Sequence, residues 1–366
     1  MRISPLKHKF EQQNAVFSER FGTEIISHIH EESTEYQAIR NSVGLTDFSF
    51  MQKFRFPEET GIDFLDEQVA GNVAKVRFGR VLHTFLPDEN GMIRSDCYIA
   101  NNDDELIVLC ESINDDSSIR ETFMADGGSR AEDLTETHIV LGIDGYKSWE
   151  VARKLFGADV LGLPYLSIER YTFNDVPIRM FRGGKTSEFG YLLMAPNEIA
   201  EALFDKIYHL VQELDGCLCG NGIHDLLRLE GRFFNVFAEG KSVTDPLSLG
   251  LQWMIDFDKD GFPGYNALRE RRSGGLKKKI IGIQASKGMA IETGIALFDG
   301  DNQVGKVEAS CFSYILDAFV GLALLSVDVA YAGLTFTYGS PSGPEIKTIS
   351  MPPIMPKSLT VKLDEM

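Results

Sequence analysis

Apolar residues fall in two kinds of run along this chain, and their spacing predicts its elements. Asn90-Gly91 stands between two apolar-patterned runs inside 79–99, the strongest short-range signal for a β-hairpin. The run over 105–110 reads as a buried strand, and 167–196 alternates in the manner of strands. Elsewhere the spacing is helical. Ile62, Leu65 and Val69 share one face of a helix predicted over 58–70, and Ile199, Leu203, Ile207 and Leu210 do the same over 197–214. Shorter helices are predicted over 117–125 and 148–156, the first ended by the breaker Asp126-Gly127-Gly128-Ser129. Ser4 followed by Pro5 starts a helix running through Phe10 and Gln12. Thr34-Glu35-Tyr36-Gln37 has capping-box spacing, and that helix is expected to stop at Gly44.

Strands and helices alternate without strict β-α-β repetition, which predicts α+β rather than a doubly wound sheet. The basic, glycine-containing segment 271–279 marks a boundary. Beyond it, short strand-like runs with turns at 299–302 and 339–344 predict a small all-β module. A length of 366 residues is enough for two or three domains. The net charge of −18 speaks against a nucleic-acid or anionic-membrane partner, while leaving room for one local basic pocket. There is no run of about 18 apolar residues to span a membrane, and residues 1–7 contain no apolar signal core. Five cysteines suit a reducing compartment, so the expected location is cytoplasmic.

Candidate chemistry begins at Asp96, on the returning strand of the hairpin just before Cys97, Tyr98 and Ile99. A carboxylate among such neighbours is either on the solvent face or held by a partner. Other motifs read as structural. Cys217 and Cys219 lack a second pair and read as thiols rather than zinc ligands. His28 and His30 read as part of a polar loop, and Asp299-Gly300-Asp301 as a turn. No metal site is expected. Gly183-Gly184-Lys185-Thr186 mimics the end of a phosphate-binding loop, but position 179 is Arg where that loop needs Gly. No G-x-S-x-G and no Cys–His pair supports hydrolase chemistry.

Four segments in order, 40–49, the hairpin 79–96, 225–230 and 262–268, resemble the glycine cleavage T-protein (aminomethyltransferase) family over nearly the whole length. The resemblance implies a three-domain cloverleaf with two mixed domains and a C-terminal all-β barrel. Mapped by motif order, the domains would be 1–50 with 138–228, then 51–137 with 229–277, then 278–366. It also implies tetrahydrofolate as cofactor, transfer of an aminomethyl or methyl group, and a small one-carbon donor or a lipoyl carrier protein as partner. A folate-dependent demethylase of a small N-, O- or S-methyl compound, or a non-catalytic binding protein on the same scaffold, are the alternatives.

By the resemblance, Asp96 is the acid at the folate amine. A carboxylate there can bind the amine, take its proton and stabilise iminium-like charge. The pterin segment 182–192 departs from the family. Leu192 stands where the family carries a Glu that grips the pterin, a loss of roughly 2–4 kcal/mol of ligand binding. Lys185 replaces a Tyr, His224 an Arg, and His83 the Tyr of the hairpin, whereas Glu188, Arg228 and Glu230 match. With Tyr98 and Tyr191, these residues are expected to line or brace the pocket. Glu188, Glu230 and Asp225 are the acids available to replace the missing Glu, and a cationic Lys185 would suit an anionic substrate.

Overall fold

The computed structural model describes residues 2–20, 22–113, 116–125 and 130–361, so the predicted breaker 126–129 lies outside the described residues. Three larger sheets organise the described chain. A six-stranded sheet runs Ser167–Phe173, Val176–Arg182, Gly190–Pro196, His138–Asp144, Gly44–Asp47, Cys217–Leu218, antiparallel except for its last, parallel pair. A five-stranded antiparallel sheet runs Val81–Pro87, Ile93–Asn102, Glu105–Ser112, Gln52–Pro57, Glu132–Asp133. The C-terminal quarter closes into a six-stranded antiparallel barrel, from Lys278–Ala285 to Glu345–Ile349. The fold is thus mixed α and β with an all-β terminal barrel, as the pattern predicts.

Strand alternation decides where the cores lie. Along Ile93–Asn102, Cys97 and Ile99 face one way, into a cluster with Phe54, Phe56, Leu65 and Phe123. Tyr98 and Ala100 face the other way, into a cluster with Phe181, Leu192 and Met194 of the six-stranded sheet. The two sheets therefore pack face to face, and any polar residue on the inner faces is sealed between them. Behind the six-stranded sheet, Leu203, Ile207 and Leu210 of the helix Ala200–Glu213 bury at helical spacing.

Element ends shift where a tertiary contact outweighs the local signal. The helix Glu32–Asn41 begins before the predicted capping box, because the Glu35 carboxylate accepts from the backbone N–H of Ile29, His30 and Gly220. The helix predicted over 58–70 ends at Gln68. The expected boundary 271–279 is mostly ordered: the helix Tyr265–Gly274, anchored by buried Leu268, takes its first half, and the first barrel strand takes its end. Among the described residues no helix is long and apolar enough to cross a membrane. Nor, among them, are three or more His, Cys, Asp or Glu side chains grouped to hold a metal ion.

Candidate functional site

Asp96 sits in the middle of the five-stranded sheet, directly opposite Glu111 on one side, while His83 pairs with Tyr98 on the other. Directly opposed residues share a face, so both acids point at the six-stranded sheet and leave water. Asp96 is 2% exposed and Glu111 2%. Two such carboxylates require partners. Asp96 Oδ1 lies 2.7 Å from His83 Nε2, and its Oδ2 accepts from Lys185 Nζ at 2.5 Å. Lys185 Nζ also donates to Glu111 Oε2 at 2.6 Å. Arg228 grips Glu111 in bidentate fashion, at 3.0 and 2.5 Å.

Each partner comes from a different element. Lys185 lies on the loop after Val176–Arg182. That loop doubles back so closely that a Cβ on Gly184 would stand 2.4 Å from Asp144 Oδ1, and one on Gly190 2.6 Å from Gly184 Cα. Only glycine at both positions lets Lys185 reach the acids. Arg228 lies on the helix Asn221–Gly231, one turn after His224. His224 Nε2 meets Thr46 Oγ1 at 2.9 Å and its ring packs edge-on against Phe48. Burial, helped by Arg228, pushes the His224 pKa down to about 3, so this imidazole is neutral at physiological pH.

Burial alone would raise the Asp96 pKa, but His83 and Lys185 outweigh it and hold the carboxyl well below the usual range. For Glu111, burial is likewise overcome by Arg228 and Lys185, giving about 2. Burial works against the cationic forms of Lys185 and Arg228, and the two acids overcome it, so both stay charged. Asp144, at the rim of the cluster, lacks such compensation: burial pushes it up to about 7, against a weaker pull from Arg228 and Arg182. The cluster corrects one expectation from the sequence. Lys185 is neutralised by two acids inside the protein and is not a free cation awaiting an anionic substrate.

His83, Tyr98, Lys185 and Arg228 thus gather around Asp96, with Tyr98 beneath the Lys185 ammonium, 5.1 Å from ring centroid to Nζ. Leu192 and His224 join Tyr98, Lys185 and Arg228 around a small inner cavity. Glu188, Glu230 and Tyr191 do not. Glu230 accepts from Tyr36, Arg40 and Ser313. Glu188 accepts from Arg40 and from the backbone N–H of Lys357 and Ser358. The two form a separate buried network that ties the barrel and the C-terminal segment to the helix Glu32–Asn41, with both carboxylates committed there. Asp225 is likewise committed, to Arg20 and Asn235. Tyr191 is core, with Arg182 stacked on its ring. Glu111 escaped the sequence reading because the predicted strand stopped at Cys110. Extending it by one residue and counting across the hairpin register would have found it.

Two hollows flank the cluster. The inner one is about 20 Å³ and is lined by Phe48, Tyr98, Glu111, Asp144, Lys185 and Leu192, among others. The outer cleft is about 490 Å³, with His83 and Trp253 in its wall. Their rings meet edge to face at 5.4 Å between centroids. Asp96 lines neither and sits behind His83.

A six-stranded and a five-stranded sheet closed over a buried charge cluster, with a terminal barrel, define a multi-domain α and β scaffold. The family model described as "GCVT N-terminal domain" matches residues 6–259, and the chain belongs to that family. Curated relatives along most of its length are enzymes named aminomethyltransferase. The protein of Thermoanaerobacter sp. is 26% identical over 91% of both chains, and that of Mycobacterium avium 27% over 88% of both. The crystal structure of glycine cleavage system aminomethyltransferase T from Bartonella henselae shares the fold, with a TM-score of 0.84 over 97% of this chain and 98% of that one at 20% identity.

The pterin of tetrahydrofolate, the cofactor this family implies, does not fit the inner cavity. A hollow of about 20 Å³ holds about one water, far less than a fused bicyclic ring. Every carboxylate oxygen of Asp96 and Glu111 is already taken by a donor of the protein, and Leu192 offers none.

Proposed function

We propose that this chain is a one-carbon transferase that moves a methyl or aminomethyl group from a small N-, O- or S-linked donor held in the outer cleft to an external thiol, the donor leaving as the free amine, alcohol or thiol with the proton that the acceptor gives up. His83 is the group that meets the donor, and Asp96 acts through it. The observation that carries this reading is the 2.7 Å contact between Asp96 and His83 at the wall of a cleft of about 490 Å³, a size that suits a small ligand. A carboxylate behind an imidazole orients it and stabilises the imidazolium formed when it accepts a proton. Asp96, held ionised despite its burial, is suited to that role. Family membership supports the reaction class. The narrow inner cavity, about 20 Å³, favours a free methyl donor over a glycine-cleavage role. The domain division we propose is 1–50 with 138–228, 51–137 with 229–277, and 278–366. Its support is the interleaving of the six-stranded and five-stranded sheets along the sequence before the barrel begins.

The test is transfer of a ¹³C-methyl label from N-, O- and S-methyl donors to an added thiol, read by NMR. Wild type is expected to transfer the label, and His83→Gln to lose on the order of 10²-fold in rate. Transfer undiminished in His83→Gln, or none with any donor, overturns the reading. Ammonia release from an aminomethyl-loaded lipoyl carrier would establish the glycine-cleavage alternative in its place.

A further inference from the structure

Among the described contacts, Lys185 is the only side chain that bonds both carboxylates of the cluster, and it lies in the wall of the inner cavity. Asp96 and Glu111 are directly opposed on neighbouring strands. Were Lys185 to swing out, two buried carboxylates would face each other with no cation between them. The lysine is therefore a fixed plug and not a gate. Its loop is pinned as well, since Thr186 O accepts from Arg40 and Tyr165 donates to Gly184 O.

The outer cleft differs in character from the rest of this acidic chain. Its described lining contains His83, Arg232 and Lys279 and no Asp or Glu, although the chain bears a net charge of −18. Arg232 is partly committed, to Leu249 O and to buried Glu239 at 3.9 Å, which leaves exposed Lys279 as the freest cation. Trp253, 61% exposed, offers a flat face beside His83.

We infer that Lys185 determines the specificity of this site: it excludes a pterin from the inner cavity and confines ligands to the outer cleft, which is built for a small planar carboxylate. The inference deepens the proposed function and rests on the outer cleft being the ligand site. It concerns binding alone, so its failure is separable from absence of transfer.

Calorimetric titration of the full chain tests it with four probes: 6-methyltetrahydropterin, benzoate, 2-naphthoate and neutral benzamide. The carboxylates are expected to bind, with affinity reduced several-fold in Lys279→Gln and by added salt, and about tenfold or more in Trp253→Ala. The reduced pterin is expected to give no heat at millimolar concentration. Introducing Lys185→Tyr together with Leu192→Glu, the residues the family carries, is expected to create pterin binding. If that double variant does not fold, the wild-type titrations decide. Pterin binding to wild type overturns the exclusion, and benzamide binding as tightly as benzoate overturns the assignment of ligand class.

Discussion

Replacing Glu111 with Gln keeps the shape of the side chain and removes one charge from the buried cluster. In the wild type two acids, Asp96 and Glu111, balance Lys185 and Arg228. In Glu111→Gln the guanidinium of Arg228 stays buried and charged, since arginine does not deprotonate. It loses the opposing charge and one of its two acceptor oxygens, which becomes an NH2 donor facing it. Breaking one side of a buried pair costs about 3–5 kcal/mol. The pKa gives a second route to the size. Glu111 is depressed from 4.5 to about 2, and a shift of that size is worth about 3 kcal/mol at 1.36 kcal/mol per pH unit. The sign follows from the depression. A carboxylate with a lowered folded pKa stabilises above its unfolded pKa, and the contribution fades as pH falls from about 4.5 toward 2. The penalty of Glu111→Gln is therefore expected to be about 3 kcal/mol at pH 7 and to shrink to about 1 kcal/mol at pH 3. Urea unfolding of both proteins, followed by tryptophan fluorescence at pH 7, 4 and 3, measures it. Trp253, beside His83, reports on the site. A penalty below about 1 kcal/mol at pH 7, or one that does not change with pH, would refute the reading of the cluster as a tightly coupled ion network.

Three further outcomes are expected. Lys53 is fully buried, its Nζ bonded to Ser49 O and Met51 O, and burial reinforced by Arg2 lowers its pKa to about 7. A lysine with a lowered folded pKa destabilises below its unfolded value, so wild type should gain more stability than Lys53→Met between pH 7 and 10. Matched thermal melts across that range give the difference. Native alkylation should label Cys217 ahead of Cys97, Cys110 and Cys219, which are buried, and ahead of Cys311, whose thiol burial pushes up, with mass spectrometry after short exposures as the readout. Gly264 has φ +76°, and a Cβ there would stand 2.0 Å from Gly91 N at the hairpin turn. Gly264→Ala should cost more than about 1 kcal/mol in denaturant unfolding, because both the space and the left-handed backbone require glycine.

The sequence by itself determined the elements whose signals are local. Asn90-Gly91 lies in the turn between Val81–Pro87 and Ile93–Asn102, with Gly91 at φ +73° and Asp88 capping Asn90 and Met92. The helix over 148–156 and the apolar face of Ala200–Glu213 follow from spacing alone, and turns separate the strands of the terminal barrel. Motif order was enough to identify the family. Only the tertiary structure decided the site, because charge compensation between buried groups depends on distances that no local pattern encodes. Glu111 became the partner of Asp96 through strand register, 15 positions away in sequence. Lys185 became the cation between them through a loop crossing that needs Gly184 and Gly190. Glu188 and Glu230 match the family motif and yet serve the barrel junction, since Arg40 reaches them first. Burial turned each of these charges into a group that must find its opposite within hydrogen-bonding distance, and only the folded chain specifies which opposite lies within reach.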